Sequence, residues 1–398
     1  MKIWENYQLD QINRLEPRAH FSTFPTKEKA LLNENKYTHA FKNLNGVWKF
    51  LLVDAPEYSP SKFYEPDFDT GEMADIKVPG NWQVQGYGKM HYSDLWYNFP
   101  INPPYVPTEN PTGIYKRQFS INESFRGKKI ILRFCGVDSA YHVWVNGTEV
   151  GYSKGARNEA EFDITELVRD DAANDLTVRV YQWSDGTYLE DQDMWWLSGI
   201  FRDVELLGVP YAGINDLKVV ANLNDDYKNG LLDLSFTLRE RKGQRIEVEL
   251  IDSSGQQVLR QEITGEQGRL QAEVPNVAHW TAETPELYQL LISVYEGEKL
   301  VEVIPQKVGF RNIRLAGEVF LVNGVAIKFK GVNRHDYNPR NGRVVSKEEI
   351  ENDIRLMKQF NINAIRTSHY PASYYLYDLC DEYGMYAVSY THLTLPTN

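Results

Sequence analysis

The chain has 398 residues, 42% hydrophobic and 25% charged, the profile of an ordinary soluble globular protein with room for two to four domains. Its formal net charge of −12 argues against a nucleic-acid partner, because phosphates call for a basic patch. No run of about 18 apolar residues occurs, which disfavours a membrane partner, and the opening M-K-I-W-E-N-Y-Q-L-D has no apolar signal core, so a cytoplasmic location is the default expectation. Aromatic residues make up 13% of the chain, with 25 Tyr and 9 Trp. β-Sandwich cores use many aromatics, and so do sugar sites, where C–H faces pack on rings. Cys135 and Cys380 are far apart in sequence, so no disulfide framework is indicated.

Residues 1–40 read as a polar, irregular segment that wraps a neighbouring domain. From Phe41 the pattern changes to short β-rich runs separated by turns. Strands are expected at 46–53, 76–83, 113–121, 129–137 and 175–183. A-Y-H-V-W-V-N-G-T-E-V-G-Y (140–152) predicts two strands around an Asn-Gly turn. Many short strands of this kind predict an antiparallel jelly-roll sandwich over 41–210. Two of its connections are conspicuous. Residues 81–113 form a long loop, stiff with prolines and aromatics, and loops of that length tend to be functional. Residues 183–199 carry four acids and three tryptophans. An acid run by itself is usually a solvated surface, but Trp195 and Trp196 demand burial or a partner.

About seven further strands between 211 and 313 predict an immunoglobulin-like sandwich without a cysteine pair. It shows no catalytic constellation and reads as a spacer. A Val-Asn-Gly hairpin turn near 322–324 then feeds a βαβ unit. The first strand is expected at Ile327–Val332, followed by Asn333, Arg334, His335 and Asp336. Ser346 with Glu349 is a capping box, and Ile350, Ile354, Met357 and Phe360 recur at helical spacing. Ala364–Thr367 is the next strand, followed by Ser368, His369 and Tyr370; a second helix and a strand at 385–388 follow. Such units imply parallel strands with right-handed crossovers, the beginning of a (β/α)8 barrel over 314–388. A lone histidine after a strand is commonly an ordinary loop residue. Two at equivalent positions of consecutive units, each beside Arg, Asp or Tyr, suit a polyhydroxylated ligand.

Four stretches carry a family resemblance: N-P-P-Y-V-P-T-E-N-P-T-G, W-S-D-G-T-Y-L-E-D-Q-D-M-W-W-L-S-G-I-F-R-D-V, F-K-G-V-N-R-H-D and R-T-S-H-Y-P. Together they resemble glycoside hydrolase family 2, and most closely its bacterial β-galactosidases. The resemblance runs to about Val388; the final 389–398 departs from it and reads as an unrelated tail on a truncated frame. It implies a mainly β chain with an α/β end: jelly roll, immunoglobulin-like sandwich, then the first units of a TIM barrel. It further implies a pocket for a terminal β-D-galactoside such as lactose, lined by barrel residues and jelly-roll loops. By motif match Asp193 would bind sugar hydroxyls and a sodium ion. His335 and His369 would contact the galactosyl group in the transition state. Asp94 stands where many relatives have a sugar-contacting asparagine, and an ionised aspartate cannot donate as an amide does.

The implied chemistry is retaining hydrolysis by two glutamates about 5 Å apart. The resemblance places both on later barrel strands, with a magnesium ion beside the acid/base. Glu348, Glu349 and Glu382 are helix residues and do not substitute for them, so the chain alone is expected to be inactive. The full-length enzyme is expected to be a homo-oligomer. A stand-alone carbohydrate-binding sandwich is the alternative from another class, though such a module has no need of two histidines at barrel-strand ends. Within the family a β-glucuronidase or β-mannosidase is disfavoured by the E-D-Q-D-M-W loop.

Overall fold

The computed structural model describes residues 1–93 and 96–389. Asp94 and all but the first residue of the expected tail 389–398 lie outside the described residues. The chain divides into two units. One comprises Met1–Pro17, Ala40–Gly208 and Asp336–Val345; the other comprises Arg18–His39, Val209–His335 and the residues from Ser346.

The first unit is built on two antiparallel sheets. The larger has seven strands in the spatial order Gln11–Ile12, Thr148–Lys154, Ala140–Val145, Asn174–Tyr181, Thr112–Phe119, Gly46–Val53, Ala74–Val78. The smaller has four: Ala160–Asp163, Lys129–Phe134, Val204–Val209 and Phe41–Asn43. Trp48, Phe50, Trp82, Tyr115, Leu132, Phe134 and Phe162 fill the core, burying the apolar area that drives this unit together. The Asn-Gly turn forms because both residues accept positive φ, 53° at Asn146 and 82° at Gly147, which matches the twist of the flanking strands. Lys116 is a buried cation inside the larger sheet. Its ammonium donates to Asp175 Oδ1 at 2.9 Å, to Thr177 at 2.8 Å and to the carbonyls of Phe63 and Glu65, so its charge and donors are satisfied.

Two expectations change here. The strand placed at 76–83 is Ala74–Val78, and it stops because Pro79 has no N–H to continue a ladder. The first forty residues are not simply irregular. Gln11–Ile12 adds an edge strand beside Tyr152 and Ser153. In the second unit, Lys27–Leu32 is a helix capped by the Thr26 hydroxyl, and Phe24 bridges Val303.

The second unit contains the seven-stranded sandwich. Ile214–Leu223, Gly230–Leu238 and Arg269–Val274 form one sheet. Gln257–Thr264, Arg245–Ile251, Tyr288–Glu296 and Lys299–Val308 form the other. Alternating residues such as Ile246, Val248, Leu250, Leu290, Ile292 and Val294 bury inward. A small antiparallel sheet over Ile313–Ala326 follows. Then come three parallel strands, Gly331–Arg334, Ala364–Thr367 and Tyr386–Val388, paired in sequence order. Helices Lys347–Gln359 and Tyr374–Tyr383 connect them in sequence. The Ser346 and Glu349 capping box is present, with both reciprocal bonds made.

The first parallel strand lies several residues later than expected. Asn333 and Arg334 belong to it, because the Arg334 guanidinium pairs with Asp353 of the following helix at 3.0 Å and can be buried in a strand. Ile350 and Ile354 are buried as the helical spacing predicts, whereas Phe360 caps the helix and is 73% exposed. The sandwich is also more than a spacer. Trp280, fully enclosed, donates its indole N–H to the carbonyl of Asp381 at 2.8 Å and meets Tyr386 edge-on at 5.8 Å. Lys358 donates to the carbonyls of Ala282 and Gly384.

Candidate functional site

The two conspicuous connections of the first unit meet. His91–Ser93 pairs antiparallel with Met194–Trp196, placing Tyr92 opposite Trp195. This ribbon was not expected from sequence, where both stretches read as loops. Trp196 is buried and packs edge-on against Trp183 at 5.1 Å, with Tyr97, Phe99 and Tyr188 around it. Its indole N–H donates to Asp191 at 2.9 Å. Trp195 faces outward, 37% exposed, with Tyr92 edge-on at 5.5 Å. Asp193 sits exposed at the turn before Met194 and accepts from the Tyr92 hydroxyl. The acid run is thus a short structured ribbon over an aromatic cluster, with one carboxylate and two ring edges at its surface.

Beneath this ribbon lies a charged cluster that sequence reasoning missed. Asp138 receives Arg343 Nη1 at 2.6 Å and has Arg157 at 3.7 Å. Arg343 Nη2 also donates to the carbonyl of Trp195 at 3.1 Å. Glu190 accepts from the Ala156 N–H at 2.7 Å with one oxygen, while its other oxygen has no protein partner. Burial, together with repulsion from Asp138, pushes the Glu190 carboxyl up to about 7, against the pull of Arg157, the Ala156 N–H and Arg343. Asp138, Glu190, Asp191, Trp183, Trp196 and Arg343 line one small cleft.

Arg343 reaches Asp138 from the turn that follows the first parallel strand in sequence. Asn338 shapes that turn: its side-chain oxygen accepts from the N–H groups of Arg340 and Asn341, and its backbone pairs with Gly342 in both directions. Gly342 has φ +66°, and a β-carbon there would stand 2.7 Å from Asn81 Oδ1 and 2.8 Å from Leu197. Asp336, read from sequence as part of a polar rim, pairs with Arg202 at 3.2 Å. Nothing in the sequence marked Arg343.

In the second unit the two histidines do come together. Pairing of Arg334 with Thr367 aligns the strand ends, so His335 and His369 emerge side by side. Their rings meet edge-to-face with centroids 5.6 Å apart. The Tyr370 hydroxyl lies 3.4 Å from His335 Nδ1. Both imidazoles are half-buried and Tyr370 is buried, which leaves directional polar atoms at a strand terminus. Glu349 is occupied in its capping box and Glu382 pairs with Lys307. Among the described residues no group of three His, Cys, Asp or Glu side chains is placed to hold a metal. Asp193 offers a single exposed carboxylate. No described helix is long and apolar enough to cross a membrane.

Three family models match in series. Residues 41–210 match the sugar binding domain of glycosyl hydrolases family 2, residues 212–311 match a second model of that family, and residues 313–394 match its TIM barrel domain. The chain is 40% identical over 406 residues to a beta-galactosidase of Psychromonas ingrahamii, covering 98% of this chain and 39% of that protein. A beta-galactosidase of Photobacterium profundum is 39% identical over 414 residues, covering 99% of this chain and 40% of its own. The chain thus spans about two fifths of the length of these relatives. Among solved structures, the β-glucuronidase from Ruminococcus gnavus in complex with D-glucaro-δ-lactam superposes with a TM-score of 0.75 at 22% identity. That match covers 88% of this chain and 59% of the other, and bears on the fold. Sequence and fold agree, and the chain belongs to glycosyl hydrolases family 2.

Proposed function

We propose that the chain is part of a β-galactosidase and supplies sugar-binding groups to a retaining hydrolysis of terminal β-D-galactosides. The observation that carries galactoside over glucuronide is the identity of about 40% to curated beta-galactosidases across nearly the whole chain, against 22% to the β-glucuronidases. In this reading Asp193 accepts hydrogen bonds from sugar hydroxyls, with the Tyr92 hydroxyl holding the carboxylate in place. His335 and His369 offer ring nitrogens to hydroxyls whose bonds strengthen as positive charge develops on the sugar ring. Tyr370 orients His335. Sodium would add one more positive contact at Asp193. Protonation of the leaving oxygen and attack at the anomeric carbon need two further carboxyl groups, which this reading assigns to barrel strands of the longer enzyme.

The test is a comparison of galactose and glucuronic acid by saturation-transfer NMR on the chain, with Asp193→Asn alongside. Galactose should show transfer that the variant loses. Equal transfer from both sugars, or an unaffected variant, would refute the assignment. A chromogenic β-galactoside should give no turnover with the chain alone. Turnover by homogeneous protein would overturn the placement of the two carboxyls elsewhere.

A further inference from the structure

We propose that Arg343 is a positioning residue for Asp193, holding the acidic ribbon from the turn after the first parallel strand; this rests on the reading of Asp193 as a sugar-binding carboxylate. Asp193 lies outside the ribbon's ladder, one residue before Met194. Its placement depends on the strand that follows and on the Tyr92 hydroxyl across the ribbon. Arg343 ties the backbone of this strand to the cluster beneath: one nitrogen donates to the Trp195 carbonyl at 3.1 Å and another to Asp138 at 2.6 Å, whereas Arg157 reaches the strand only through the Met194 side-chain sulfur at 3.6 Å. A planar guanidinium can serve a carboxylate and a carbonyl together, whereas an ammonium is a point charge.

The support behind Arg343 is stiff. Its own N–H donates to Asn81 Oδ1 at 2.9 Å, Gly342 packs against Asn81 and Leu197, and Asp336 at the start of the segment pairs with Arg202. Charge neutralisation alone does not account for Arg343, because Arg157 also stands 3.7 Å from Asp138. What Arg343 adds is the bond to the ribbon backbone. The side chain is only 5% exposed, so water is poorly placed to replace that bond.

The experiment is amide hydrogen exchange on the whole chain, read over Asp191–Trp196 and over strand Thr112–Phe119 as a reporter of the same unit. Arg343→Lys keeps the charge and guards against loss of the fold; Arg343→Ala removes the group and admits methylguanidinium. Exchange over Asp191–Trp196 should quicken about tenfold or more in both variants, the scale of a lost charge-assisted hydrogen bond, while Thr112–Phe119 keeps its protection. Millimolar methylguanidinium should slow it again in Arg343→Ala. Unchanged exchange over the ribbon in Arg343→Lys, or equal loosening of ribbon and reporter strand, would overturn the proposal. Asp193→Asn with galactose runs in parallel. If the variant keeps sugar-induced protection, the sugar reading fails, and with it the functional half of the proposal, whereas the exchange of the Arg343 variants tests the mechanical half separately.

Discussion

Glu190 should make the first unit less stable as pH rises through neutrality, and Glu190→Gln should abolish that loss. The carboxyl is moved from 4.5 to about 7, chiefly by burial and then by Asp138. A carboxyl with a raised pKa binds its proton more tightly in the folded chain than in the unfolded one. Stability from this group is therefore complete below pH 4.5 and is lost as pH rises to about 7. The full shift corresponds to roughly 3 kcal/mol, and partial exposure of the side chain reduces this to about 1–3 kcal/mol. Glutamine keeps the acceptor for the Ala156 N–H and cannot ionise. Urea unfolding, followed by exchange protection in Thr112–Phe119, should give equal midpoints for the two proteins near pH 4.5. The variant should pull ahead between pH 5 and 7 and hold a constant lead above pH 8. A variant less stable than the parent at pH 8, or a lead independent of pH, would show that Arg157 and Arg343 keep Glu190 ionised and that burial is not the dominant effect.

His142 predicts the opposite slope in acid. Burial, with a smaller push from Arg179, brings it down to about 3, so the folded chain keeps it neutral while the unfolded chain takes up a proton. Stability should fall by roughly 5 kcal/mol at most as pH drops from 6.5 towards 3, and His142→Gln, which keeps a polar partner for the Tyr181 hydroxyl, should flatten that fall in acid unfolding curves. Gly342→Ala should cost about 2 kcal/mol of the same unit's stability in urea titrations, because positive φ and the 2.7 Å approach to Asn81 act together; a neutral result would show that the turn relaxes. His369→Phe should weaken a galactose-configured oxocarbenium mimic about tenfold more than galactose itself, and equal weakening would mean that His369 serves ground-state binding only.

Several features were legible because local chemistry dictates them. Asn146 and Gly147 both tolerate positive φ, so the hairpin announces itself. Ser346 and Glu349 satisfy one another's helix-terminal groups, so the helix start does too. The two histidines were found because they recur at equivalent places in a βαβ pattern. The acidic ribbon was half visible: its tryptophans signalled a partner, but a three-residue strand has no period, and its partner lies about a hundred residues away. Arg334 read as loop because it is polar, and it is strand because Asp353 neutralises it. Arg343 had no sequence signal, since its role is set by where a turn delivers one side chain.

Trp280 bears on how this chain can be cut and recombined. Its ring belongs to the sandwich, yet its N–H is satisfied by Asp381 and its face by Arg311, with Tyr386 against its edge. Ala282 leaves no room for a side chain at Gly384, where a β-carbon would lie 2.4 Å from its carbonyl. A graft that exchanged the sandwich at a sequence boundary near 312 would leave a buried indole donor and the Asp381 carbonyl without each other. Module exchange in this chain is thus constrained by a seam: a sandwich put in its place has to bring a tryptophan that fits the helix end, or the 374–386 segment has to travel with the sandwich.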